Sequence, residues 1–373
     1  MTPLKAENRG LTQIEKILQP LIIFSATITL GYLFQMVAAF ITDQIWGTSL
    51  VNIDDFNEMT PDELWTLRVS QIFYQIGTFL MTPLFFALIV KAKPMQAWSL
   101  DRPINTKFLP WVLLLLVLSV FSSSFLYEVL NFVNWPQEII DTQESNENLL
   151  LQLLPANSLM VIVLNLLMFV ILPAFLEEIY FRGMIQKVIT NISGLPHFAI
   201  VLTSMLFAVV HGNLPGFLAY FVMGLVLGYL FYLTGNLKYS IIFHLLNNGL
   251  SLLLDWMYRS GNLSFDPNDS SVPVFPGVLT TLFILAIIYK LYKDTQKPKL
   301  KVALDQEPKV VWVKAYESQD LIHLQMICDR LNAEGYNAEV LNKRDSAYGH
   351  GYAEIHVPIH QIESAKSFIE TLK

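Results

Sequence analysis

Phe175-Leu176-Glu177-Glu178-Ile179-Tyr180-Phe181-Arg182 decides how this chain is read. It follows directly on an apolar run from Leu159 to Phe175 that only Asn165 and Pro173 interrupt. Two adjacent carboxylates and an arginine at the end of a membrane-length segment are costly to place, and ionisable groups at that depth point to function by default. On a helix, Glu178 and Arg182 are four residues apart and share a face, with the acid N-terminal as an ion pair prefers. Glu177 lies about 100° further round and is left out of that pair. A carboxylate without a salt-bridge partner in an apolar cleft is a candidate general base. The spacing thus divides the cluster: Glu178 and Arg182 support, and Glu177 does chemistry. A plainer reading competes, in which two interfacial acids and a snorkelling arginine end a helix.

Outward from that stretch the composition is that of a membrane protein. Of 373 residues, 53% are hydrophobic and 15% charged, where a soluble domain carries about a quarter charged residues. Eight apolar segments of roughly spanning length are expected, at about 18–41, 70–90, 109–130, 158–177, 197–211, 214–233, 239–256 and 274–292. The fifth, at about 15 residues, is roughly 22 Å long as a helix against a hydrocarbon core of about 30 Å, so it is expected to stop inside the membrane. The first run, beginning near Leu18, is too long for a cleaved leader and lacks a small-residue cleavage site. The single cysteine, Cys328, excludes an intramolecular disulfide and a cysteine-rich metal site. The net charge of −7 does not suggest a nucleic-acid partner.

The charges sort by loop. Lys5, Arg9, Lys16, Lys91, Lys93, Arg102, Lys107, Arg182, Lys187, Lys238 and the lysines from Lys290 to Lys301 are assigned to one side. Acids dominate the other: Asp54, Asp55, Glu58, Asp62 and Glu63, then Glu138, Asp141, Glu144 and Glu147, with Arg68 and Arg259 as the basic residues there. This asymmetry predicts a multi-pass protein of the cytoplasmic (inner) membrane with both termini cytoplasmic.

Two more polar clusters interrupt the apolar segments. Phe207-x-x-x-His211 ends the fifth, just before the helix-breaking run Gly212-Asn213-Leu214-Pro215-Gly216. Broken helices at membrane depth are tolerated where they are buried or line a wet cavity. His244 and Asn248 sit four apart on one face of the seventh. An imidazole and a carboxamide side by side offer N–H donors to a developing oxyanion, and each also suits a plain interhelical hydrogen bond.

Asp294 to Lys309 is polar and basic with two prolines and is read as a linker, which leaves residues 1–293 as the membrane domain. Residues 310–373 have the pattern of a small cytoplasmic α+β domain: a strand from Val310 to Tyr316, an amphipathic helix from Asp320 to Ala333 with Leu321, Leu324, Ile327, Cys328 and Leu331 on one face, strands at Asn337–Leu341 and Tyr352–Val357, and a closing helix from Ile362 to Leu372. That order suggests a ferredoxin-like sandwich. It resembles, in pattern only, a prokaryotic signal-transducing domain, whose expected role is to dock a cytoplasmic partner or to regulate access to the membrane site. The loop Arg344–Gly351 is read as a flexible hairpin loop in preference to a ligand site.

Taken in order, Glu177-Glu178-x-x-x-Arg182, Phe207-x-x-x-His211 and His244-x-x-x-Asn248 resemble the CAAX-protease and bacteriocin-processing (CPBP, or Abi) family of intramembrane endopeptidases, over about residues 155–257. The fold class expected is therefore an all-α polytopic membrane protein of about eight transmembrane helices, with the small soluble domain appended. The resemblance implies hydrolysis of CAAX-like or bacteriocin-like membrane-borne peptides. Glu177 with His211 would activate water, His244 with Asn248 would hold the oxyanion, and Glu178, Arg182 and Phe207 would support the site. Family members are described both as metalloproteases and as glutamic proteases. This chain has no HExxH pair, and the metal-free reading is favoured; the alternative is a divalent cation, Zn²⁺ first, on Glu177, His211 and His244. A non-proteolytic protein of the same fold, serving immunity, envelope maintenance or scaffolding, is the competing function; a transporter is a third, against which no inverted repeat is visible. The topology expects a site opening to the cytoplasm. Glu177 and His211 meet only if the fourth segment stays helical past Arg182, or if the fifth begins deeper or tilts.

Overall fold

The computed structural model describes residues 13–53, 55–56, 58–155, 158–264, 274–296, 312–342 and 352–372. The chain divides into two compact units, Met1–Gln296 and Lys297–Lys373. Most of the linker, the start of the first strand at Val310-Val311 and the Arg344–Gly351 loop lie outside the described residues.

The first unit is a helical bundle: α1 (Gln13–Trp46), α2 (Pro61–Ile89), α3 (Leu109–Asn131), α4 (Gln137–Leu153), α5 (Leu159–Ser193), α6 (Pro196–Val210), α7 (Phe217–Thr234), α8 (Lys238–Arg259) and α9 (Val274–Gln296). Among the described residues six helices are long and apolar enough to cross a membrane: α1, α2, α3, α5, α7 and α9. Of the eight apolar segments expected, six reach that length and apolarity. The 15 residues of α6 are too short, and α8, although 22 residues long, is diluted by Ser240, His244, Asn247, Asn248 and Asp255. The protein is an all-α, multi-pass integral membrane protein with a small C-terminal sheet domain.

Hydrogen bonds between loops give the bundle two ends. At one, Gln152 Nε2 donates to Phe56 O (2.9 Å), Met59 N donates to Gln152 Oε1 (3.0 Å), and Arg68 Nη2 donates to Leu153 O (3.0 Å). At the other, Asn236 Nδ2 donates to Pro103 O (3.0 Å), Lys238 Nζ to Arg102 O (2.9 Å) and the Tyr239 hydroxyl to Asn105 O (2.8 Å). The first end carries the acidic loops and the second the basic ones. Three charges assigned above to loops are instead buried on helices: Arg68 on α2, and Arg182 and Lys187 on α5.

α5 is the axis of the unit. At 35 residues it runs well past Arg182, so Glu177 sits near its middle. Three π-helical stretches, Leu166–Ile171, Pro173–Glu177 and Ile179–Ile185, interrupt it. Pro173 explains the irregularity: it has no N–H and its ring crowds the carbonyl four residues back, that of Phe169. Neighbouring helices satisfy the freed carbonyls. Asn248 Nδ2 on α8 donates to Phe169 O at 3.2 Å, and Gln75 Nε2 on α2 donates to Met168 O at 3.1 Å. On α7, Gly224 and Gly228 form a GxxxG pair. A Cβ at Gly224 would lie 2.9 Å from Ser204 Cβ, and one at Gly228 2.8 Å from Ile200 Cγ2, so glycine lets α6 approach.

The second unit has β1 (Trp312–Ser318), α10 (Leu321–Ala333), β2 (Glu339–Asn342), β3 (Ala353–Pro358) and α11 (Ile362–Thr371). β3 is central and antiparallel to both neighbours, in the order β1-β3-β2. This is the split βαβ arrangement of the ferredoxin-like plan. Leu324, Ile327, Cys328 and Leu331 of α10 pack with Ala353, Ile355 and Val357 of β3 and Ala365 and Ile369 of α11. Asp320 caps α10, its Oδ1 accepting from the N–H groups of Ile322 and His323.

Candidate active site

The three polar clusters converge on one ring. Phe207 of α6 is fully buried. The Arg182 guanidinium stacks over it at 4.5 Å, the His211 ring lies 4.5 Å from it and the His244 ring 6.0 Å. Phe181 meets it edge-on at 5.3 Å. The fourth segment stays helical past Arg182, as far as Ser193.

The ion pair is present. Arg182 Nη1 donates to Glu178 Oε1 at 2.6 Å, with both side chains at 0% exposure. Arg182 Nη2 donates to Gly224 O at 3.1 Å, so the carbonyl of the glycine that lets α6 close in also holds the guanidinium. One contact was not legible from spacing. His244 Nδ1 lies 3.0 Å from the same Glu178 Oε1. An ionised carboxylate only accepts, so Nδ1 carries the hydrogen and Nε2 is turned away from Glu178. Glu178 therefore orients His244 as well as neutralising Arg182.

Glu177 is the carboxylate without a salt bridge. Its Oε2 is buried and has no hydrogen-bond partner within the protein, and His244, Glu178, Arg182 and Tyr220 lie within electrostatic range. His211 Nδ1–H donates to Phe207 O at 2.7 Å. That bond sets the tautomer and leaves the Nε2 lone pair to accept a proton. The imidazole stacks on Tyr220, with centroids 4.2 Å apart and planes 25° from parallel. Gly216 makes room for that stack, since a Cβ there would fall 2.9 Å from Tyr220 Cε2.

A cavity of about 480 Å³ reaches His211 and Tyr220. Gln71 of α2, Gln143, Asn146 and Glu147 of α4, Met168 and Phe169 of α5, and the Gly212–Pro215 turn also line it. It opens at the acidic end of the bundle. The 15 residues of α6 carry His211 to the far end of that helix, beside α4. Gln143 Nε2 donates to the Tyr127 hydroxyl, which ties α4 to α3.

Asn248 differs most from its expected role. One of its amide hydrogens is spent on Phe169 O, and its Oδ1 accepts from Asn247 Nδ2 at 3.4 Å. One hydrogen of its amide remains for another acceptor. Among the described residues no group of three or more His, Cys, Asp or Glu side chains is arranged to hold a metal ion, and Glu177, His211 and His244 do not form such a set. Sequence reasoning missed Tyr220, the Gly224/Gly228 pair and the cavity wall on α4. The GxxxG spacing was there to be read; the others need the fold.

Residues 159–250 match the family model described as type II CAAX prenyl endopeptidase Rce1-like. This stretch of the membrane core is thus similar to the CAAX-protease family. The matched span runs from the start of α5 into α8 and contains all three clusters. No curated protein and no solved structure matches the chain.

Proposed function

We propose that this protein is an intramembrane endopeptidase in which Glu177 and His211 activate the water that attacks the peptide carbonyl. What supports it best is a buried Glu177 carboxylate oxygen with no protein partner near Tyr220, on whose ring stacks a histidine, His211, whose tautomer leaves Nε2 free beside a cavity.

A water held between Glu177 and His211 Nε2 gives up a proton to Glu177 as its oxygen bonds to the carbonyl carbon. The tetrahedral oxyanion is held by His244 Nε2–H and the remaining amide hydrogen of Asn248. Because Nδ1–H of His244 is committed to Glu178, Nε2 donates when the ring is an imidazolium. The C–N bond then breaks, the amine takes the proton from Glu177, and the products are a carboxylate and an amine. No step runs through a metal, so a chelator such as EDTA leaves the rate of the purified protein unchanged.

The substrate class is peptides or protein tails at the membrane, CAAX-like or bacteriocin-like. Substrate trapping with Glu177→Gln, followed by mass spectrometry of bound peptides, tests this. The variant is expected to fold, insert and retain peptides that the wild type cleaves. Wild-type protein that leaves the trapped peptides intact would favour the non-proteolytic scaffold reading. The second unit is proposed to bind a cytoplasmic partner. Deleting residues 305–373 with no change in activity or interactions would count against that.

A further inference from the structure

The walls of the His211 cavity point to a route and a charge preference for its ligand. α4 is a 17-residue helix with Glu138, Asp141, Glu144 and Glu147 and no lysine or arginine. Its C-terminal end is pinned by the Gln152, Leu153 and Leu154 carbonyl and amide contacts to the Phe56 loop, Arg68 and Asn165. Its middle forms one side of the cavity, with Glu147 at the rim and His211 and Tyr220 at the floor. Gln143, which lines the cavity, has a buried Oε1 without a protein partner. The opposite end is knit shut by the bonds of Asn236, Lys238 and Tyr239 to the Arg102–Asn105 loop. Lys187, itself buried, fastens the adjacent turn by donating to Ala97 O and Ser99 Oγ.

We propose that the peptide substrate enters from the acidic end of the bundle, beneath α4, and that the segment lying along α4 is cationic. By the charge asymmetry of the loops this end is extracytoplasmic, so the ligand is a basic peptide or protein tail presented outside the cytoplasm. The mixed lining fits an extended peptide: Met168, Phe169 and Leu150 take apolar side chains and Glu147 faces cations, with Glu144 exposed outside the lining on the same helix. Acidic rims of this kind steer and select oppositely charged ligands. This rests on the peptidase reading for what happens at the floor of the cavity, but not for binding.

The full-length Glu177→Gln protein in lipid nanodiscs separates the two. A fluorescent lysine-rich peptide and its alanine counterpart are titrated at low and high salt. The cationic peptide is expected to bind about tenfold more tightly at low salt, and Glu144→Gln with Glu147→Gln to remove most of that margin, at roughly threefold per charge. A margin of zero, or one that survives both substitutions, overturns the charge preference. Sidedness is read with Asn146→Cys in intact cells. A membrane-impermeant maleimide is expected to label it without permeabilisation, and bound lysine-rich peptide to slow the labelling. Labelling only after permeabilisation overturns the route. Failure of the peptidase reading would look different: cationic peptide bound, yet no hydrolysis by the wild type.

Discussion

Glu178 Oε1 receives hydrogens from both Arg182 and His244, and this double acceptance separates the two adjacent glutamates. Glu178→Ala would leave a buried guanidinium unpaired and is expected to cost about 3–5 kcal/mol. Glu177→Gln removes a carboxylate whose Oε2 has no protein partner, so it is expected to leave stability unchanged or higher while abolishing activity. Reversible unfolding of the two variants in micelles, run beside a cleavage assay, checks the pair of outcomes. Helical spacing made the Glu178–Arg182 half of this legible, because an i,i+4 pair is a local fact. The His244 contact joins residues 66 apart in the chain and has no local signature. Phe207→Ala is expected to cost about 3–5 kcal/mol through loss of packing alone, with Arg182, His211 and His244 all losing the ring they rest on.

At the scale of elements, Pro173 and Asn248 form a compensated break. Asn248→Ala leaves the Phe169 carbonyl without its donor, at about 1–3 kcal/mol. Pro173→Ala in the same chain restores a backbone N–H to that carbonyl and is expected to recover most of the stability. Activity is expected to stay low in the double variant, because the oxyanion donor is still missing. Full recovery of activity would reduce Asn248 to a helix clamp. Gly228→Leu pushes α6 from α7 and is expected to cost about 1–3 kcal/mol, read from the same unfolding assay. Pro173 was visible in the sequence as an interruption of the apolar run, though not as a break in the helix, and the short α6 was visible too. That α8 supplies the missing donor was not, since Asn248 fits an oxyanion site and a helix clamp equally well until its neighbour is known.

At the scale of the whole molecule, hydropathy and loop charge were enough to read a polytopic bundle with a small α+β unit after it. Two of the eight segments, α6 and α8, fall short of the six in length or apolarity, α8 because it carries polar residues that a lipid-facing helix does not. The second unit has its own core. As an isolated fragment from about residue 305 it is expected to melt cooperatively, followed by circular dichroism. Its Cys328 is buried, and burial pushes the thiol up from its ordinary range, so alkylation of the folded unit is expected to be slow and to accelerate on unfolding. Loop charge said which residues share an end, and the hydrogen bonds between loops agree, but the side from which the site opens depends on how far α6 carries His211. The direct test of the whole account is hydrolysis of a trapped peptide by purified wild-type protein, set against Glu177→Gln and His211→Ala that are equally folded. The prediction is one new carboxyl terminus and one new amino terminus with the wild type and a loss of at least about a hundredfold with each variant. Equal cleavage by wild type and Glu177→Gln would contradict it.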